Sequence, residues 1–400
     1  MNVKKVLLCF TALVFTVSAN AAAASFSTIS IGAFVNYAIQ EDGTLLAWGI
    51  DDNGLLGGNA VSYLHPVSLM KNARFVEGVR YGALVIDSQN TLWGIGSNWF
   101  GLLALRDTTN LTQPSVIMHN VSQVSAGNRY CLAVQTDGSL WGWGNNEDGQ
   151  LGDTSSEITQ HLPYPFVAPF KLMDHITSAS CSRAGSAGEV SCALTEDGKL
   201  LAWGSFPTSP GGFETREPYV LMDEVLSIED GGFIKKDHSL WAWVDKGMQA
   251  EGDQYVLEKV MDDVKQSSSN GDNFAVVKLD GSLWTWGTEN STGQLGNGST
   301  TANGTPQKIM ENVSKIVFYS DYGLILTEDG SLWQIGSSFT EASALPEFDP
   351  KQFYSPYQLM NGIKTSSTDL ENTTGIVSSL LHSIHVLSLY FTTIMVGTAT

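Results

Sequence analysis

The sequence predicts an all-β fold: a seven-bladed β-propeller of four-stranded antiparallel blades, its ring closed by the N- and C-terminal strands. Three observations predict it. A turn motif recurs seven times, at spacings of 47, 48, 60, 40, 43 and 49 residues, a period typical of propeller blades. Apolar runs of strand length flank every copy, and no stretch shows helical periodicity.

The turn comes first. Its clearest copies are Asp137-Gly138-Ser139-Leu140-Trp141-Gly142-Trp143-Gly144 and Asp280-Gly281-Ser282-Leu283-Trp284-Thr285-Trp286-Gly287, and aligned copies start at Asp42, Gln89, Asp197, Asp237 and Asp329. Asp-Gly between two β-rich runs makes a tight hairpin, because glycine tolerates the positive φ such turns need. With the first turn residue as position zero, position +3 is leucine in every copy, from Leu45 to Leu332. Ten of the eleven tryptophans fall at +4 or +6, which places them in the packing between blades. In a strand +4 and +6 share one face while +3 and +5 share the other. Position +5 is small in most copies (Ala47, Gly94, Gly142, Ala202, Ala242), as close approach of a neighbouring sheet would require. Upstream, position −3 is always aliphatic, from Ile39 to Leu326. Both faces are apolar, so both are covered.

A second element recurs between the hairpins, as in Pro114-Ser115-Val116-Ile117-Met118 and Pro306-Gln307-Lys308-Ile309-Met310. Its methionine returns at 70, 173, 222, 261 and 360. Proline suits an edge strand, and methionine fills irregular core space. The chain opens on the strand Ile29–Gly32 and closes on this element at 356–363, so the N-terminal strands are expected to complete the ring as the last unit's following partner and remove its exposed edge.

The ends differ from the middle. Lys4 and Lys5, an apolar run from Val6 to Val17 and Ala19-Asn20-Ala21 have the layout of a cleaved secretory signal. The expected organisation is a signal peptide over 1–24, the propeller over 25–363 and an uncharged tail over 364–400. Residues 375–397 are apolar enough to make a candidate membrane anchor, but His382, His385 and many hydroxyls weaken that reading. Localisation is expected to be secreted, periplasmic or at the cell surface.

Loss of Lys4 and Lys5 leaves 19 basic against 41 acidic residues, a net charge near −22. Such a charge disfavours nucleic acid and steers cationic partners toward the chain. Cys131, Cys181 and Cys192 remain after cleavage. Cys181 and Cys192 flank a small, polar stretch, and a disulfide between them is one expectation; three buried free thiols are the other.

The Asp-Gly-x-Leu-x-x-Trp-Gly units, followed by Gly149-Gln150-Leu151-Gly152 and Gly293-Gln294-Leu295-Gly296, resemble the repeats of the regulator of chromosome condensation family. The resemblance covers roughly residues 27–363. Degenerate turns stand at Gly54-Leu55-Leu56-Gly57 and Gly101-Leu102-Leu103-Ala104. The histidine that the family usually carries near the start of the second strand is replaced by Tyr37, Tyr130 and similar residues. The family's best-known activity is nucleotide exchange on a nuclear GTPase with chromatin binding. The signal and the acidic charge argue against carrying that over, and no exchange-site residue maps here. A propeller-type β-lactamase inhibitor among secreted bacterial relatives implies that the scaffold can act as a protein-binding disc, though fold alone does not fix function.

Chemistry is sparse. No histidine pair has zinc spacing, and no nucleophile elbow or phosphate-cradling loop is present. The oxygen-rich loops Asp51-Asp52-Asn53-Gly54 and Asn145-Asn146-Glu147-Asp148-Gly149 lack EF-hand spacing and fall where the repeat needs a polar turn. No cofactor and no metal is expected. What departs from the repeat is more telling: Trp99 and Phe100, Tyr164 and Phe166, and Phe206 and Phe213 all stand outside the repeated aromatic positions. Aromatic residues on loops of a rigid disc suit a protein-binding surface. The expected function is a monomeric, non-catalytic, protein-binding scaffold. The alternatives are an inhibitor of an extracellular enzyme or a glycan-binding module, and a hydrolase or lyase with loop-borne residues.

Overall fold

A computed structural model describes residues 26–32, 35–51, 61–105, 110–152, 166–181, 189–206, 213–245, 255–337 and 354–360. The expected signal peptide and tail lie outside these residues. The described chain forms seven four-stranded antiparallel sheets, each built from four consecutive strands. The blades cover residues 26–70, 73–118, 121–173, 176–222, 225–261, 264–310 and 313–360. In blade 3, for example, the strands are Val121–Ala126, Tyr130–Gln135, Leu140–Asn145 and Phe166–Met173.

One register is common to all seven blades. The +3 leucine pairs with the recurring methionine of the fourth strand, from Leu45↔Met70 to Leu332↔Met360. All seven leucines are fully buried. The turn itself is a relay of hydrogen bonds. Asp137 Oδ1 accepts the N–H of Ser139 at 2.9 Å and its hydroxyl at 2.6 Å, and Ser139 Oγ accepts the indole N–H of Trp141 at 3.0 Å. The same relay recurs at Asp237, Ser239 and Trp241, and at Asp280, Ser282 and Trp284. Asp-Gly-Ser-Leu-Trp is therefore a structural unit.

Seven separate apolar cores lie between the blades, one at each interface. Blade 3 shows the division of labour. Leu132, Val134 and Leu140 face blade 4, whereas Cys131, Ala133 and Trp143 face blade 2. The alternation read from the sequence holds, but the small +5 residue has a different purpose. A Cβ on Gly94 would press on Ile117 and Leu103, and one on Gly142 on Leu151 and Leu172. The space is filled from within the same blade, by its outer strand and a loop leucine.

The ring closes between the N- and C-terminal strands by stacking, without a shared sheet. Blade 1 owns its first strand Phe26–Ile31, and blade 7 owns its fourth, Tyr357–Met360. Phe26, Ile29 and Ile31 pack on Leu324, Leu326 and Leu332, and the Tyr322 hydroxyl donates to Asn36 Oδ1 at 2.7 Å.

The first strand of each blade contacts the first strands of both neighbours, so these strands line the axis. Side chains stitch them together. Ser30, Ser125 and Ser268 accept the backbone N–H of Gly78, Cys181 and Phe318 on the next blade, and Glu77 accepts that of Ala126. Gln123 and Gln266 each donate to and accept from the backbone of Ala179 and Ile316.

The expected Cys181–Cys192 disulfide is not formed; both are free and buried, as is Cys131. Cys181 pairs with Ser191, and Cys192 with Ser180. That offset of one residue turns the two thiols to opposite faces of the blade. Cys181 joins the core toward blade 3 and Cys192 the core toward blade 5. Burial pushes both thiols up, Cys192 to about 12.

Candidate functional site

The disc has two unlike faces. One carries the second-to-third-strand hairpins and the turns between blades. Its chemistry is repetitive: the ion pairs Lys171–Asp174, Lys259–Asp262 and Lys308–Glu311 span 2.6 to 2.7 Å at the methionine element of three blades. Hydrogen bonds from Ser139, Ser239 and Ser282 hold Asp137, Asp237 and Asp280 below the usual carboxylate range. Exposed pairs of this kind contribute little energy, and this face serves the turns.

The other face carries the first-to-second and third-to-fourth connections, and the described aromatic departures from the repeat lie in or beside one of them. Trp99 opens a single 3-10 turn, Trp99–Gly101, and is 48% exposed. Its ring stacks between those of Tyr81 and Phe100, with centroids 5.6 and 5.3 Å away. The Arg80 guanidinium lies over both Tyr81 (5.4 Å) and Trp99 (5.6 Å). Phe100 sits at φ 61°, a left-handed conformation that costs a bulky residue about 1–3 kcal/mol. That strain seats Phe100 against the core between blades 2 and 3 and leaves Trp99 standing at the rim. Arg80 and Tyr81 were not singled out by sequence reasoning, since they come from a different loop.

Phe206 does not belong to this surface. It is fully buried between blades 4 and 5, against Tyr219 and Trp243, because it extends the third strand and pairs with Phe213. Only the backbone of Phe166 and Phe213 is placed, at the loop-side ends of two fourth strands. Tyr164 lies outside the described residues.

The Gly-x-Leu-Gly turns join blades to their neighbours. Asn98, Asn146 and Asn290 each accept the N–H of the turn leucine (Leu103, Leu151, Leu295) at 2.8–2.9 Å. The residue before that leucine turns its carbonyl to the next blade, where Trp143 donates to Leu102 and Trp203 to Gln150, both at 2.9 Å. Arg129 bonds Glu147, Asp148 and Glu189, tying blade 3 to blade 4. Burial raises the Glu189 carboxyl against the pull of Arg129. The oxygens of Asn145 and Asn146 accept N–H groups of their own loop, as turn chemistry requires. Among the described residues no group of three His, Cys, Asp or Glu could hold a metal ion, and no helix is long and apolar enough to cross a membrane.

The axis holds a charged cluster that is invisible in any one repeat. Lys315 donates to Thr28 Oγ1 at 3.2 Å and feels the charges of Glu77, Glu229 and Asp230. Ser227 donates to Glu229 at 2.7 Å, and Ser268 to Asp230 at 3.2 Å. Burial raises Glu229 to about 7 and lowers Lys315. A carboxyl raised on folding contributes stability below its ordinary range and loses it as pH climbs through the folded value. The urea midpoint of the wild-type protein is therefore expected to fall between pH 5 and pH 8, and Glu229→Gln is expected to flatten that slope. Equal slopes in the two proteins would contradict the assignment.

Comparison with known proteins agrees with this geometry. Residues 137–187 and 280–319 match the model of the Regulator of chromosome condensation (RCC1) repeat, and residues 121–150 match a second model of the same repeat. The chain carries RCC1-type repeats. This RCC1-repeat propeller is 26% identical over 308 residues to the Ultraviolet-B receptor UVR8 of Arabidopsis thaliana, a match covering 68% of the chain and 67% of that protein. It is 27% identical over 126 residues to the human X-linked retinitis pigmentosa GTPase regulator, covering 30% of the chain but 12% of that protein. Among solved structures it is similar to Prp20p from Saccharomyces cerevisiae, with a TM-score of 0.51 at 15% identity over 88% of this chain and 85% of the other. That likeness is one of fold.

Proposed function

We propose that the protein is a secreted or surface-exposed, monomeric binding module that captures another protein on the loop face, around Trp99. The observation that carries the reading is the exposed Trp99, fixed between Tyr81 and Phe100 under Arg80. Tryptophan, tyrosine and arginine dominate binding hot spots, and a pre-stacked ring loses little conformational freedom on docking. Prp20p binds Gsp1p and histones, and a protein partner is the corresponding reading here. The N-terminal segment supports export through its signal-like layout. The acidic chain supports a partner with basic surface.

The test is capture from the extracellular milieu using the chain without residues 1–24. Trp99→Ala combined with Arg80→Ala is expected to weaken capture at least tenfold while leaving the thermal midpoint near the wild-type value. Unchanged capture would remove Trp99 from the binding surface. Retention of glycans alone would favour the glycan-binding alternative.

A further inference from the structure

Six of the seven outer strands carry one proline–glycine pattern. A proline stands four residues before the methionine, at Pro66, Pro114, Pro169, Pro218, Pro306 and Pro356. The third strand of the same blades carries glycine at +7: Gly49, Gly96, Gly144, Gly204, Gly287 and Gly336. In the first five of these blades the ladder slips between +5 and +7, and the proline lies in the residues looped out. The pairs flanking the slip in blade 2, for instance, are Gly94↔Ser115 and Gly96↔Leu111, with Pro114 between them; blades 1, 3, 4 and 6 repeat the pattern. Bulges and prolines on an outer strand remove donors and twist the edge away, which prevents pairing with another chain.

Blade 5 has neither device. Leu257 occupies the proline position and Val244 the glycine position. From Trp241↔Lys259 through Ala242↔Glu258, Trp243↔Leu257 and Val244↔Val256 to Asp245↔Tyr255 the ladder runs without a slip. The outer strand Tyr255–Met261 ends its sheet. A regular antiparallel edge strand presents the N–H and C=O of alternate residues to whatever lies outside.

We infer that the outer strand of blade 5 accepts an extended, basic segment of another protein as a fifth strand. Main-chain hydrogen bonds supply the contact, as in other cases of strand addition. A second copy of this chain fits poorly. Two such strands related by a two-fold axis place one residue opposite its own copy, and at the centre of Tyr255–Met261 that residue is Glu258 or its neighbour Lys259. Like charges directly opposite one another are destabilising. The net charge of −20 selects a cationic segment by attraction. This edge is separate from the loop face, so the two assignments stand or fall independently.

The test is amide hydrogen exchange on the full chain with a short capped peptide in which lysine or threonine alternates with valine. Saturating peptide is expected to slow exchange across residues 256–260 at least tenfold, with a glutamate-for-lysine peptide binding much more weakly. Leu257→Pro should abolish the protection. The pair Leu257→Pro with Val244→Gly, which restores the pattern of the other six blades, should do the same while keeping a native thermal midpoint. No slowing in the wild type, slowing retained in the double variant, or slowing on another blade's edge would overturn the proposal. Equal binding of the acidic peptide, or a dimer that Leu257→Pro dissolves, would overturn the basic partner.

Discussion

Trp143→Ala is expected to destabilise the propeller by about 4 kcal/mol or more, read as a lower urea midpoint at unchanged slope. Trp143 is fully buried in the core between blades 2 and 3. Its indole N–H also satisfies the Leu102 carbonyl, 41 residues away. Truncation opens a large cavity, worth about 3–5 kcal/mol for a buried aromatic residue. It also leaves the buried Leu102 carbonyl with only the weak Cys131 thiol as donor, at roughly 1–3 kcal/mol. Trp143→Phe retains most of the packing and should cost about the second amount alone. A loss below about 1 kcal/mol for Trp143→Ala would mean that neighbouring blades do not depend on this contact.

Gly204→Ala is expected to cost more than about 3 kcal/mol, a large effect for one methyl group. Gly204 has φ 104°, and a Cβ there collides with the carbonyl oxygen of Glu189. The same position in blade 5 is Val244, in a ladder that runs without a slip from Trp241 to Asp245. The reciprocal change Val244→Gly should therefore cost only about 1 kcal/mol, the usual loss for glycine inside a strand. Comparable urea midpoints for Gly204→Ala and the wild type would contradict the account of why five blades share one interruption.

Much of the fold is legible in one repeat because it is local. Asp-Gly, the +3 leucine and the recurring methionine belong to a single sheet, and Leu140↔Met173 closes a register within one blade. What crosses between blades is harder to read. The Trp143 to Leu102 and Trp203 to Gln150 bonds are equivalent in space but span 41 and 53 residues, since loop lengths differ. The axial charges of Glu77, Glu229 and Lys315 come from three distant blades, so no window of sequence contains them. The cysteines mislead for a simpler reason: eleven residues apart, they suggest a hairpin staple, but an offset of one residue sends each into a different core.

The candidate surface was legible in part. Trp99 and Phe100 stand out because they break the repeat. Arg80 and Tyr81 complete the stack from the preceding loop of the same blade, which only the fold brings close. Phe206 looks equivalent in sequence, yet it continues a strand into the core between blades 4 and 5. An aromatic residue beside a loop can cap a blade as readily as it can meet a partner. The missing proline and glycine of blade 5 become informative only when five interrupted edges lie beside one that is not.

The loop face is tested most directly by amide hydrogen exchange on the captured complex. The account predicts slowed exchange at residues 80–81 and 97–103, with the Asp-Gly hairpins of the opposite face unchanged. Protection confined to those hairpins, with residues 97–103 exchanging as in the free protein, would contradict it.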